Sequence, residues 1–192
     1  DQSVIILISS IPDLIPLTIR SRCHAVHFSP LPVKEMGRLL ENHTKASEDP
    51  QQRSRQAMLL GLLSGGRPGW ALGSNLVDTR DRTFGEFQDL LNGIDEDLWP
   101  DRESMEEWYD WIQLWLRDIA VFKATNKKDL LINQDKAKQL HDIAQKASLH
   151  DILKLSTTFY NIKGVMRFNL NKQITLYNTY LLLKNTFRGD SA

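Results

Sequence analysis

The chain has 192 residues, of which 41% are hydrophobic and 25% charged, so it can bury one or two cores and has the composition of an ordinary soluble protein. Lysine plus arginine equals aspartate plus glutamate, which excludes a global field that draws the molecule to nucleic acid or to an anionic membrane. One cysteine excludes an internal disulfide framework, and no apolar run approaches the ~20 residues of a membrane span. We expect a cytoplasmic protein.

The first predicted element is a buried strand. Residues Val4 to Ile8 form a continuous apolar run rich in β-branched side chains, which is typical of a strand covered on both faces of a parallel sheet. Such a strand needs neighbours, yet neither a methionine nor the charged and apolar regions of a signal peptide stand before it. We therefore expect the chain to be a fragment of a larger protein.

A turn, a helix and a second strand are predicted next. Residues 9–13 are polar and proline-containing, as in a turn at the carboxyl end of a strand, and Leu17 to Ser21 follow as a short helix. Ala25 to Phe28 alternate as a short strand, which Pro30 and Pro32 end because neither can donate to a ladder. This pattern predicts a domain boundary at residue 30.

Three short helices are predicted between residues 31 and 80. The first follows the two prolines, and the second carries the apolar side chains of residues 57–63 after a polar stretch over 47–54. Gly65 and Gly66 are suited to end that helix, and the third is predicted from Gly69 to Val77. Together they form a small bundle of the size of a lid domain.

The remaining residues, 81–192, predict an all-α bundle. The charged segment 78–82 lacks glycine and proline, so the chain continues helically into this domain. Apolar side chains at steps of three and four then predict about five helices. Their approximate bounds are residues 84–92, 103–122, 137–147, 152–166 and 171–185. We predict a mainly α fold in which only residues 1–30 belong to an α/β core.

No complete catalytic or metal centre is visible in the sequence. A GxxxxGK[ST] phosphate loop is absent, and the glycines of residues 61–69 lack its lysine and hydroxyl. The histidines and Cys23 have no zinc-ligand spacing, and Cys23 is better explained as a small buried residue at a helix end than as a nucleophile. The acidic run of residues 95–97 could hold a divalent ion, although a solvated loop is favoured. We expect no metal, no cofactor and no enzymatic activity in this chain alone.

The tryptophans and basic clusters raise the question of nucleic-acid binding. Trp108, Trp111 and Trp115 share one helical face with aliphatic residues, which favours core or subunit packing over base stacking. Trp99 is predicted to lie in a loop held against that core. The basic clusters, which we interpret as solvated faces rather than a DNA track, are residues 123–128 and the group Lys163, Arg167 and Lys172.

Three segments resemble the AAA+ clamp-loader family of DNA polymerase III. Ser21-Arg22-Cys23, in a strand–helix–strand setting, is similar to the Ser-Arg-Cys motif that these ATPases carry after sensor 1. SGGRPGWAL, residues 64–72, resembles the start of the third lid helix in bacterial delta prime and gamma/tau subunits, and residues 114–135 resemble the delta prime collar. The resemblance implies an AAA+ remnant over 1–30, a lid over 31–80 and a collar over 81–192.

The resemblance implies a role for each residue of the motif. Arg22 corresponds to an arginine finger, which reaches the ATP and Mg²⁺ of a neighbouring subunit and stabilises the charge that develops on the γ-phosphate. Ser21 would cap or orient the helix end, and Cys23 would pack beneath it. The alternative for Arg22 is a surface ion pair with Asp13 or with a lid carboxylate.

Two departures from the family pattern accompany this resemblance. ATP-binding relatives begin the third lid helix with a sensor 2 arginine, whereas this chain has Trp70 there, with Arg67 nearby but offset. A tryptophan cannot neutralise phosphate, so we expect a subunit that does not hydrolyse ATP, as in delta prime. Residues 168–172, FNLNK, also differ from the entry into the last helix in typical delta prime sequences.

The favoured hypothesis is therefore a clamp-loader scaffold subunit. It would assemble through its collar with gamma/tau and delta subunits and act indirectly on the sliding clamp, and a contact with primed DNA through the complex is possible. This hypothesis predicts an exposed apolar or aromatic patch on the last domain. Two alternatives stay open: the tail of an active AAA+ ATPase of the gamma/tau or branch-migration type, and a free-standing helical module that binds nucleic acid.

Overall fold

The computed structural model describes residues 3–9, 11–43, 49–73, 75–94 and 97–187, with only the backbone of residues 42 and 43. Its contacts divide the chain into two compact units, residues 1–30 and residues 31–192. The described residues form nine α-helices and no strand, so the prediction of a mainly α fold is confirmed.

The first unit contains one short 3-10 turn, Pro12–Leu14, and one short helix, α1, Leu17–Arg20. The predicted strands over Val4 to Ile8 and Ala25 to Phe28 are wrong, because neither segment has strand structure. A strand exists only through hydrogen bonds to a partner strand, and no described segment supplies one. The side chains are accordingly solvated: Ile5 is 86% exposed and Phe28 is 93% exposed.

The second unit begins with α2, Val33–His43, α3, Pro50–Leu63, and α4, Pro68–Gly73. Helix α3 starts inside the stretch predicted to be a polar connection. The reason is local: the Asp49 carboxylate accepts a hydrogen bond from the Gln51 N–H at 2.9 Å, and Pro50 suits the first helical position. Gly65 and Gly66 follow α3 with φ of 58° and 77°, as the prediction of glycine termination requires.

The five helices of residues 76–187 are close to those predicted. They are α5, Leu76–Asn92, α6, Arg102–Thr125, α7, Ala137–Ala144, α8, Leu149–Val165, and α9, Lys172–Phe187. The third predicted helix was extended too far, to Val77, because Gly73 ends α4 and Leu76 already begins α5. The charged segment 78–82 is helical, as predicted.

Helix α6 lies at the centre of this bundle, in contact with α5, α7 and α8, while α9 packs against α5 and α8. The predicted core role of its tryptophans is confirmed, since Trp108, Trp111 and Trp115 are all at most 3% exposed. Trp99 is also buried, with its ring centroid 5.3 Å from that of Trp108. These aromatic contacts supply the apolar burial that stabilises the bundle.

The proposed division of residues 31–192 into lid and collar stays a prediction. Helix α5 passes without interruption through the predicted boundary at residue 80, and α3 contacts α5. Helices α2, α3 and α4 pack mainly on one another.

Candidate functional site

The Ser-Arg-Cys segment lies directly after α1. The Ser21 N–H donates to the Leu17 carbonyl at 2.9 Å, and the Ser21 hydroxyl lies 3.4 Å from the Thr18 carbonyl, to which it donates. The Arg22 N–H donates to the Ile19 carbonyl at 3.0 Å. Backbone hydrogen bonds therefore fix the turn from which the Arg22 side chain projects.

The charge environment distinguishes Arg22 from its neighbour Arg20. The Arg20 guanidinium donates to the Asp13 carboxylate at 2.8 Å, so Asp13 already has a cationic partner. The exposed Arg22 side chain makes no hydrogen bond, ion pair or ring contact with the residues that the structure describes. Of the predicted alternative, the pair between Arg22 and Asp13 is not formed, because Asp13 pairs with Arg20, and no carboxylate of the described residues 31–80 pairs with Arg22.

Cys23 requires a correction. The sequence favoured a buried thiol beneath Arg22, but Cys23 is exposed. Residues 24–30, which follow it, have no regular secondary structure and are exposed as well. Cys23 therefore contributes no apolar burial to the support of Arg22.

Trp70 lies on the exposed side of α4. Its side chain is 40% exposed, and the Arg67 guanidinium carbon lies 5.3 Å from the centroid of its ring. At an exposed site such a cation–π contact contributes about 0.5–1 kcal/mol. Arg67 is thus held on the indole ring of Trp70.

An uncharged apolar surface covers the outer side of α9. We call it the α9 face and define it by Ile174, Tyr177 and Leu181, which lie on one side of the helix at positions i, i+3 and i+7. The side chain of Ile174 is 70% exposed and that of Tyr177 is 57% exposed. These three residues, with Gln173 and Asn178, line a shallow and widely open depression. The patch expected on the last domain is therefore present.

The basic group formed by Lys163, Arg167 and Lys172 is engaged within the chain. Lys163 pairs with Asp110, and the Lys172 ammonium donates to the Pro100 carbonyl at 3.0 Å. The Arg167 guanidinium lies 4.8 Å from the centroid of the Phe168 ring. These local contacts support the interpretation of a solvated face and give no support to a DNA track.

Two buried charges were missed in the sequence. Asp118 is fully buried on α6 and accepts hydrogen bonds from the Ile132 N–H, the Asn133 N–H and the Asn133 side-chain amide, at 3.1, 2.8 and 2.9 Å. Arg80 on α5 is only 2% exposed. A signal existed for Asp118, because it stands three residues after Trp115, within the apolar stripe of α6.

No group of three or more potential metal ligands occurs among the residues that the structure describes. Of the acidic run over 95–97, residues 95 and 96 lie outside that description. None of the described helices is long and apolar enough to cross a bilayer.

Comparison with protein families matched residues 97–185 to the model described as DNA polymerase III, delta subunit, C terminal. The matched segment includes helices α6 to α8 and all but the last two residues of α9, and covers somewhat less than half of the chain. It supports a clamp-loader subunit and a role in clamp loading. No match was found among curated proteins or among solved structures.

Proposed function

We propose that this chain is a delta prime type subunit of the DNA polymerase III clamp loader, which does not hydrolyse ATP itself. The observation that carries the proposal is the family match over residues 97–185. The finer assignment to delta prime rests on the resemblance of residues 21–23, 64–72 and 114–135. In this proposal the chain holds no cofactor, and ATP with Mg²⁺ is bound by neighbouring subunits.

Assembly with the other loader subunits uses the α9 face. An apolar surface without charged groups is suited to subunit packing, because its burial removes apolar area from water and requires no charge to lose its hydration. The inner side of the same helix is already committed to the bundle through Leu176, Leu183 and Phe187, all at most 3% exposed. The outer side is thus the part of α9 that remains for a partner, namely a helical domain of a gamma/tau or delta subunit.

Arg22 acts as the arginine finger toward the neighbouring ATP site. Its guanidinium has no carboxylate partner among the described residues, whereas Arg20 is neutralised by Asp13. A planar guanidinium donates two parallel hydrogen bonds to phosphate oxygens and stabilises the charge that develops during phosphoryl transfer. Such a contact contributes roughly 10³- to 10⁵-fold in other phosphoryl-transfer enzymes.

Trp70 supports a subunit that does not turn over ATP. The residue that resembles the sensor 2 position carries an indole ring, and the adjacent cation, Arg67, stacks on that ring. An indole offers one N–H donor and no positive charge. The subunit therefore contributes to ATP hydrolysis only through its neighbour's site.

The test is assembly of the full chain with purified gamma/tau and delta subunits, measured by size-exclusion chromatography with light scattering. A double variant, Ile174→Glu and Tyr177→Glu, places two carboxylates in the interface, so we expect at least a tenfold loss of affinity. Met58→Glu is the matched control, because Met58 is a 55% exposed apolar residue on α3. If the folded double variant assembles as well as the control, the α9 face is not the interface; if the unaltered chain does not assemble, the proposed function fails.

A further inference from the structure

The chain turns sharply between α8 and α9. A short 3-10 turn, Met166–Phe168, follows α8 directly, and Asn169 after it adopts a left-handed conformation with φ of 60°. We call residues 165–168 the α8–α9 corner. Its last residue, Phe168, begins the stretch 168–172 in which the sequence departs from typical delta prime subunits.

The α8–α9 corner is fixed to the helical bundle at several points. The Met166 side chain is buried, and the Met166 carbonyl accepts hydrogen bonds from the Arg102 guanidinium at 2.7 Å and from the Asn169 N–H at 3.1 Å. Beyond the turn, the Asn171 side-chain oxygen accepts from the Ile174 N–H at 3.0 Å and so caps α9. The turn is therefore preformed, and a partner that binds there needs to order little of its backbone.

This fixed turn presents apolar side chains to solvent. Phe168 is 67% exposed and Val165 is 43% exposed. A 3-10 helix has three residues per turn, so Val165 and Phe168 lie on the same side of the chain. Ile174, the first residue of the α9 face, follows in the first turn of α9, so exposed apolar side chains stand on both sides of the cap. Such a grouping on a rigid turn is typical of a protein contact surface, whereas a single exposed apolar residue is not.

Arg167 gives the α8–α9 corner a positive charge. Its guanidinium carbon lies 4.8 Å from the centroid of the Phe168 ring, so the two side chains pack together. Its basic neighbours, Lys163 and Lys172, are already bonded within the chain. Arg167 itself forms no ion pair with a carboxylate of the residues that the structure describes. A guanidinium that packs on an aromatic ring keeps N–H donors free for a carboxylate, so the corner is complementary to an apolar surface that carries a negative charge.

We propose that the α8–α9 corner is a second contact of this chain with a neighbouring clamp-loader subunit. An apolar surface of that subunit covers Phe168 and Val165, and one of its carboxylates pairs with Arg167. Aromatic residues and arginine are the types that contribute most to interface affinity, and the corner and the α9 face both lie within the segment that matches the delta subunit model. The inference rests on the proposed function, because the partner is a subunit of the same loader.

The test is the affinity of the full chain for purified gamma/tau and delta subunits, measured by sedimentation of the fluorescently labelled chain. Phe168→Ala removes the exposed ring, so we expect the affinity to fall at least about tenfold. Tyr160→Ala is the matched control, because Tyr160 is a 70% exposed aromatic residue on α8 outside the corner, and it should leave the affinity unchanged. Both side chains are mostly solvated, so both variants should keep the melting temperature of the unaltered chain.

Arg167→Met tests the charged part of the contact. The variant keeps an unbranched apolar side chain beside Phe168 and removes the charge, so the affinity should fall and should depend less on salt, because added salt screens an ion pair with the partner. Lys154→Met is the matched control, since Lys154 is an exposed lysine elsewhere on α8. Equal salt dependence in Arg167→Met and the unaltered chain would overturn the pairing with a carboxylate.

The failure of this contact and the failure of the proposed function give different results. If the unaltered chain does not assemble with these subunits, the proposed function fails and the corner contact fails with it. If the unaltered chain assembles and the folded Phe168→Ala chain assembles as tightly, only the corner contact is overturned. Titration with single-stranded oligothymidylate covers the other class of partner: we expect no binding at the corner, and binding that Phe168→Ala abolishes would assign the ring to base stacking and overturn the protein contact.

Discussion

The guanidinium of Arg80 donates two parallel hydrogen bonds to the carboxylate of Asp135, one from Nη1 at 3.0 Å and one from Nη2 at 2.8 Å. Arg80 lies on α5, and Asp135 lies in the 3-10 turn just before α7. The Arg80 side chain is only 3% exposed, and Asp81 provides a second carboxylate at 2.9 Å. The pair therefore fastens the connection between α6 and α7 onto α5 and compensates a buried cation.

Asp135→Ala should lower the free energy of unfolding by about 1–3 kcal/mol, because a buried donor loses its acceptors. Asp81 remains beside Arg80 and limits the loss. The measurement is urea denaturation of the full chain at neutral pH. Glu107→Ala is the control: its ion pair with Arg82 is exposed, so we expect a loss below about 1 kcal/mol. Equal losses in the two variants would contradict the structural role assigned to Arg80.

The helices were predictable because each has a local signal. The regular spacing of apolar residues predicted α6, and the two glycines predicted the end of α3, in both cases from residues that are close together in the sequence. The partner of Arg80 was not predictable, since Asp135 is 55 positions away and only packing brings the two together. The strand expected over residues 4–8 failed for a related reason: β-branched residues favour extended backbone, but a strand also needs a partner.

Asp118→Ala should lower the free energy of unfolding at least as strongly, by about 3 kcal/mol, because several donors lose one buried acceptor, while its ion-pair partner Arg117 is 44% exposed and can be solvated. The substitution leaves two backbone N–H groups, of Ile132 and Asn133, and the Asn133 side-chain amide without their acceptor. These donors hold the segment that follows α6, so we also expect faster amide hydrogen exchange at residues 131–133. Denaturation and hydrogen exchange measure the two effects.

Asp110→Ala is the matched control for Asp118→Ala. Asp110 also lies on α6 and pairs with Lys163, but its side chain is 54% exposed, so we expect a loss below about 1 kcal/mol. A small loss in Asp118→Ala with unchanged exchange would show that water replaces the carboxylate readily, which would contradict its role as the anchor of this segment.

The surroundings of the candidate site residues were only partly predictable from the sequence. An exposed patch on the last domain was expected from the clamp-loader hypothesis, but its residues were not: Ile174 and Tyr177 belong to the apolar pattern that predicted the helix, and such a pattern places residues toward the core, whereas both are exposed. The exposure of Cys23 could not be anticipated, because burial depends on what covers a residue and not on its type.

Asp101→Asn should flatten the acid side of the stability profile. The Asp101 carboxylate caps α6 by accepting from the Ser104 N–H at 2.7 Å, and this hydrogen bond holds the pKa of Asp101 below its usual range. A carboxyl with a lowered pKa in the folded state stabilises the protein above its unfolded pKa, about 3.9, and loses that contribution as the pH falls through the folded pKa. Thermal unfolding of both proteins between about pH 5 and pH 2 measures the difference.

The asparagine variant keeps an acceptor for the Ser104 N–H and removes only the titration. Its melting temperature should therefore fall less steeply than that of the unaltered protein within this pH window. Parallel profiles would contradict the assignment of acid sensitivity to this cap.

If Arg22 is the proposed finger, Arg22→Ala should reduce ATP turnover at the neighbouring site of the reconstituted clamp loader by roughly 10³-fold or more. The total DNA-stimulated rate of ATP hydrolysis then falls by the fraction of that rate which this one site contributes. Arg20→Ala is the matched control, because Arg20 is the neighbouring arginine already paired with Asp13, and we expect it to leave turnover unchanged. Arg22→Lys keeps the charge and loses the planar pair of donors, so its rate should lie between those of Arg22→Ala and the unaltered chain.

Light scattering of each complex separates a loss of catalysis from a loss of assembly. An Arg22→Ala loader that assembles and turns over ATP normally would refute the finger and leave the collar assignment intact, since the two rest on different residues.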